Sequence, residues 1–428
     1  MSKHIRLLIT VFCLLTTGLA FSQGLGPMPG NGSVAGGLGL TAIDDETYFT
    51  INFRPELALG KFGIGLNIDL LYNTQTGHIR TKDWNEDYDY LRLIRYVRYG
   101  HKKDKFYTQV GALDAARLGH GFIMNFYTNQ ASYDQRKIGL ALDWDLDYGG
   151  FETVTSNLGR LEVIGGRGYV RPLKPFIPIP IIKNLAFGYT YVVDTDPDAY
   201  RGTNDDVQAW GLDAELPLVN IPMFYSGLYY DYAKITDFGS GQAYGIEASL
   251  KGVAGLFQIT AKLERRLLGE KFLPSYFGAF YEVEKYNISK TDTVRKTDYL
   301  SKIAEDTKGV YGELVGHVLN TIQIVGSFQR LDDTPHSGIL HVVAEVPDAV
   351  PKIAARATYD KAGIEKVKDL SVDDSIARVG LGYKLKPWLL VYMDYIYSFD
   401  KDEETGKIKT QRRIQPSVSI VYNFPLGQ

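Results

Sequence analysis

Side chains able to do chemistry alternate, along much of this 428-residue chain, with side chains that cannot. Arg54, Glu56 and Asp69 stand between Ile51, Phe53, Leu57, Ile68 and Leu70. Asp143 and Asp145 alternate with Leu142, Trp144 and Leu146, and Asp213 and Glu215 with Leu212, Ala214 and Leu216. Glu247 lies between Ile246 and Ala248, and Lys262 and Glu264 flank Leu263. Arg356, Arg378 and Arg413 take the same alternate places in the last third. A period of two puts every such group on one face of a strand and the apolar set on the other. An acidic stretch, Asp143 to Glu247, and a basic one, Arg356 to Arg413, would set up a transverse field across any space they enclose. The plainer alternative is that these groups neutralise one another along a wetted wall.

A second set lies in the segment 114–135, where Leu118–Tyr127 reads LGHGFIMNFY, apolar and aromatic for a connection. His120, Phe122, Phe126 and Tyr127 are its candidate constriction residues if the segment folds inward. A histidine between two glycines is more often a turn residue than a general base. The seven histidines are scattered, and no HExxH, G-x-S-x-G or phosphate-binding glycine pattern occurs. The only cysteine is Cys13, so disulfides and a thiolate metal site have no residues to build them. No catalytic residue, metal or cofactor is expected. With 47 basic and 50 acidic side chains, no charge imbalance points to a nucleic-acid partner.

The elements that position these groups are long strands. Runs of 9 to 12 alternating residues recur near 47–59, 61–72, 136–147, 207–217, 222–234, 242–251, 253–265 and 412–424. A soluble sandwich strand is typically about 5–6 residues, whereas a strand crossing a bilayer at a tilt needs about 9–11. Short links near 60–61, 101–104, 149–150, 218–220, 252, 320, 347–351 and 386 alternate with long ones at 74–88, 114–135, 195–206, 266–307, 361–373 and 399–411. This is the rhythm of short periplasmic turns and longer outer loops. The chain therefore reads as all-β, a transmembrane antiparallel β-barrel of 16 to 20 strands, with 20 the best count. That count requires 266–307 to be one excursion despite its strand-like stretch Tyr276–Tyr286. The Pro-rich stretch 172–180 reads as a structured connection, because proline cannot donate to a ladder. The apolar face must meet lipid: turning it round would cost roughly 2–4 kcal/mol for each basic group at the midplane.

Residues 1–22 carry a basic start, an apolar run Leu7–Leu19 and a small-residue site ending Ala20-Phe21-Ser22, which predicts a cleaved signal peptide. A glycine- and proline-rich lead, 23–33, precedes a single barrel over 34–424, with a tail at 425–428. The exported, Tyr- and Gly-rich chain of alternating strands resembles the porin-type outer-membrane proteins of Gram-negative bacteria. Its signal ending, Phe-Ser-Gln, is of a kind common in the Bacteroidetes and Chlorobi lineages. The closing strand, Val418–Phe424, resembles the signal read by the barrel assembly machinery, although Pro425-Leu-Gly-Gln428 follows it.

The resemblance implies an outer-membrane location and contact with outer-membrane lipid. It also implies passage of small solutes and possible homo-oligomers. A barrel of this size encloses water, so passive diffusion of small hydrophilic solutes is the expected function. A loop-blocked structural or adhesive barrel and a barrel hydrolase are the alternatives.

Overall fold

The computed structural model describes residues 31–43, 46–85, 87–100, 102, 104–131, 136–197, 205–252, 257–286, 294–318, 322–346, 352–370, 375–401 and 408–425. The expected signal peptide and most of the lead and tail lie outside the described residues.

The strands are β1 (Asn31–Ile43), β2 (Glu46–Leu59), β3 (Phe62–Leu66), β4 (Ile68–Asn73), β5 (Ile94–Tyr99), β6 (Phe106–Gly111) and β7 (Gly139–Asp145). They continue with β8 (Gly149–Thr155), β9 (Val163–Val170), β10 (Ala186–Asp194), β11 (Val207–Ile221), β12 (Phe224–Ile235), β13 (Ser240–Lys251) and β14 (Phe257–Leu268). The circuit is completed by β15 (Thr307–Val318), β16 (Ile322–Leu331), β17 (Gly338–Val346), β18 (Ile353–Ile364), β19 (Ser375–Lys386), β20 (Leu389–Lys401) and β21 (Ile408–Pro425). Strands pair antiparallel with their neighbours in sequence except at β3 and β4, which both pair with β2 while β3 pairs on to β5, and β21 returns to pair with β1 from Asn31↔Pro425 to Ile43↔Arg413. The sheet closes with no edge, as hydrocarbon demands of a backbone it cannot hydrogen-bond.

The structure divides the expected strand 61–72 in two, yet both halves pair with β2, so the circuit is a closed antiparallel barrel of 20 staves. The break falls between Leu66 and Ile68, opposite Arg54 and Pro55, and Pro55 has no N–H to give. Asn67 turns its own N–H to the carbonyl of Leu93 instead, at 2.8 Å. Strand β5 begins only at Ile94, after a helical turn, Asp87–Leu91.

Two faces follow from the alternation. Leu212, Leu263 and Leu381 are more than half exposed, whereas their neighbours Asp213 and Glu264 are buried. The apolar residues therefore face outward and the polar ones line the lumen. No helix among the described residues is long and apolar enough to cross a membrane; the strands do the crossing. The start of β1 and the end of β21 lie at one end, the turn end, with mostly short turns, and the longest connections lie at the other, the loop end. Among the turn-end connections 171–185 stands out by its length.

Strands β5 to β9 have only 6 to 8 residues each, shorter than the sequence runs suggested. The ladder ends early there because Asn129 takes its place. Its side chain accepts from Leu113 N at 2.8 Å and donates to the carbonyls of Lys137 (3.2 Å) and Ser156 (2.9 Å). From that point 112–131 leaves the wall and runs into the lumen. The main apolar cluster lies inside the barrel, where Leu118, Phe122, Met124 and Tyr127 pack with Phe272, Phe277 and Tyr281 and with wall residues Val192, Ala209 and Ala233.

Candidate functional site: a loop-filled lumen with one open wall

The inward segment is pinched at its base by the pairing of Ala116 with Tyr127, so residues 117–126 form a tip. Gly119, Gly121 and Phe126 take positive φ values of 54°, 91° and 52°, which turn the chain back within ten residues. The tip spans the lumen to strands on several sides, and Gly119 N donates to Glu152 on β8 at 2.8 Å. Arg117 makes a two-pronged ion pair with Glu313 on β15 (3.0 and 2.5 Å), and its Nε donates to Asn125 at 2.7 Å. Asn125 donates in turn to the Tyr311 hydroxyl at 3.0 Å.

His120 stacks on Tyr229 at 4.2 Å and meets Asp231 at 3.1 Å and Glu215 at 3.7 Å. Lys262 donates to the His120 carbonyl. Phe126 stacks on His341 of β17 at 4.0 Å. Burial disfavours the imidazolium of His120, but Asp231 and then Glu215 outweigh it and hold its pKa up at about 10.

Residues 272–286 of the second long connection lie against this tip. Residues Tyr276–Tyr286, strand-like in sequence, form no stave: Phe277 pairs with Met124, and Tyr281–Glu284 is one helical turn. Ser275 N donates to Phe122 O at 2.7 Å, Phe277 N to Ile123 O at 3.1 Å, and Asn125 N to Phe277 O at 3.1 Å. Lys137 pairs with Glu162 and with Glu282 (2.5 Å), Tyr127 donates to Glu282, and Lys285 pairs with Asp194 at 3.1 Å. Burial would raise the Glu282 pKa, but Lys137 and Lys285 beside it prevail and bring it down to about 2. The two connections thus form one interlocked body.

The acidic stretch lies mostly under or beside that body, with a cation on nearly every carboxylate. Asp143 meets Lys102 at 2.6 Å, Asp213 meets Arg167 at 2.7 Å, and Glu215 meets His120 and Tyr225. Lys262 and Arg266 bracket Glu264 at 2.6 and 2.7 Å, and Glu247 is half-buried. Asp145 stands apart, at the turn-end rim with Arg171.

The basic stretch is arranged differently. Arg356 and Arg378 share the single carboxylate of Asp394, Arg54 pairs with Asp69 at 3.0 Å, and Glu56 meets Tyr96 and Arg95. Arg413 is buried on the same side of the lumen. Exposure separates the two walls: the side chains of Lys262, Glu264 and Arg266 are 4%, 0% and 0% exposed, those of Arg54, Arg356 and Arg378 28%, 33% and 37%.

Sequence reasoning missed the partners that hold the tip, Arg117, Asn125, Tyr311 and Glu313, and the acid Asp394 that gathers two arginines. Asp394 is the one acid in the strand WLLVYMDYIYS, a signal that was available. Arg117 and Glu313 are 196 residues apart, and nothing local links them.

Ser327, His341 and Asp360 stand in cross-strand register on β16, β17 and β18, and His341 Nδ1 meets Asp360. His341 Nε2 makes no hydrogen bond, so it does not engage the serine, and Phe126 covers the ring. Such a row serves as the seat of the tip, since nucleophile and base must be in hydrogen-bond reach to act together. Among the described residues no group of three or more His, Cys, Asp or Glu side chains could hold a metal ion.

No family model and no curated protein matches the chain. Solved structures similar to it include the outer-membrane protein OpdK of Pseudomonas aeruginosa, with 12% identity, 92% of this chain and 99% of that one covered, and a TM-score of 0.32. OccK8 (OprE) of the same organism has 12% identity, coverage of 92% and 98%, and a TM-score of 0.33. Wzi of Escherichia coli, an outer-membrane protein named as a carbohydrate-binding β-barrel, has 10% identity, coverage of 93% and 85%, and a TM-score of 0.33. The chain spans 60% of the length of CdiB from Acinetobacter baumannii, with 6% identity and a TM-score of 0.29.

Proposed function

We propose that this barrel is an outer-membrane channel for passive diffusion of small hydrophilic solutes, with a path along the arginine wall past the interlocked loops. The supporting observation is the asymmetry of the lumen. The wall beneath the loops is sealed and charge-balanced. The opposite wall keeps Arg54, Arg356 and Arg378 partly exposed, with Asp69 beside Arg54 and Asp394 beside both Arg356 and Arg378. Selectivity in a pore follows the charge of the groups that line it, so anions are favoured over cations.

Planar-bilayer recording of the refolded protein under a salt gradient tests this. The reversal potential should show chloride preference, and Arg356→Ala with Arg378→Ala should move it toward potassium. Folded protein that passes no current at any voltage would overturn the channel and favour a loop-blocked structural barrel, a reading that the extent of loop packing supports.

A further inference from the structure

The long turn-end connection, 171–185, has no part in the lumen. Its root is fastened to the rim, where Arg171 grips Asp145 at 2.9 and 3.0 Å and Lys174 meets Asp147 at 2.6 Å. Beyond that root runs Pro175–Ile182, eight consecutive apolar residues, seven of them exposed and Phe176 81% so. A contiguous apolar patch of this kind marks a contact surface, not a solvated turn.

Two further observations say which contact. First, the segment continues the lipid-facing wall: Ile182–Asn184 packs on β11, and Leu185 shares an outer groove with Ala214, Leu216 and Leu228, which all point away from the lumen. Second, its backbone suits a medium that offers few hydrogen bonds. Pro172, Pro175, Pro178 and Pro180 carry no N–H. The N–H groups of Lys174, Phe176, Ile177, Lys183, Asn184 and Leu185 all bond to carbonyls within the segment. The N–H groups of Leu173, Ile179, Ile181 and Ile182 make no such bond, which suits the level of water and headgroups that can accept from them and not the hydrocarbon core.

We infer that 175–182 is an interfacial foot, seated in the phospholipid leaflet at the turn end and holding the barrel at fixed depth. Hydrophobic residues followed by Lys183 match the acyl–headgroup boundary, where apolar faces bury and a cation meets phosphate.

The single cysteine makes the test clean. In a Cys13→Ser background, Phe176→Cys and Ile179→Cys are each spin-labelled and reconstituted in phosphatidylethanolamine–phosphatidylglycerol vesicles. Heat-modifiable gel migration confirms folding of each. Labels at 176 and 179 should collide more with oxygen than with a water-soluble nickel chelate, as a label replacing the lipid-facing Leu212 does. A label replacing Thr334, at the loop end, should show the reverse. Collision dominated by nickel at both foot positions would overturn the inference. Shielding from both reagents in native membranes, with nickel access in vesicles, would also overturn it by indicating a protein partner.

Discussion

The Arg117–Glu313 pair is the contact on which tip docking depends most. Glu313 is 4% exposed and Arg117 18%, so Arg117→Met leaves a buried carboxylate with the Tyr311 hydroxyl (2.5 Å) and the charge of Lys262, opposite it on β14, to compensate it. Breaking a buried ion pair by removing one partner costs roughly 3–5 kcal/mol. Water in the lumen can rehydrate the acid, so the lower end applies, and about 3 kcal/mol shifts the docked-to-undocked ratio by about a hundredfold.

The readout is amide hydrogen exchange across 118–127. There the N–H groups of Leu118, Gly121, Asn125 and Tyr127 bond to Met124, Leu118, Phe277 and Ala116. Exchange through local opening should quicken by about that factor. Adding Glu313→Leu removes the stranded charge, and the double variant should recover most of the protection, because an apolar pair can replace a buried ion pair at little cost. Unchanged exchange in Arg117→Met, or a double variant as open as the single, would refute the reasoning.

Two other outcomes are expected. Deleting 118–127 should raise single-channel conductance, and an unchanged conductance would show that the tip does not narrow the path. The His120 pKa of about 10 lies above the free value of 6.5. Its contribution to docking is therefore complete below about pH 6.5 and is lost as the pH climbs through about 10. Exchange of the tip, corrected for intrinsic rate, should accelerate across that alkaline window, and His120→Gln should abolish the dependence; a slope that persists in the variant would assign it to other groups.

Period-two alternation was enough to declare the barrel and to say which face each residue takes. Face polarity is a local property of a strand: Leu212 and Asp213 point oppositely whatever surrounds them. Connection lengths likewise carried the stave count, because antiparallel neighbours are joined in chain order. Strand ends were less accessible. Pro55 splits its neighbour across the ladder, and Asn129 ends three strands at once, both through contacts between strands that the alternation within one strand does not show.

The lumen itself was decided by tertiary structure alone. The tip LGHGFIMNFY was recognisable as too apolar for an exposed loop, but its seat depends on Glu313, Tyr311, Asp231 and His341, brought together only when the sheet closes. The same closure separates charges of one type into a sealed wall and an open one. Sequence alternation can say that Lys262 and Arg356 both face inward. Only the folded loops, by covering one and leaving the other, decide which of them meets a solute.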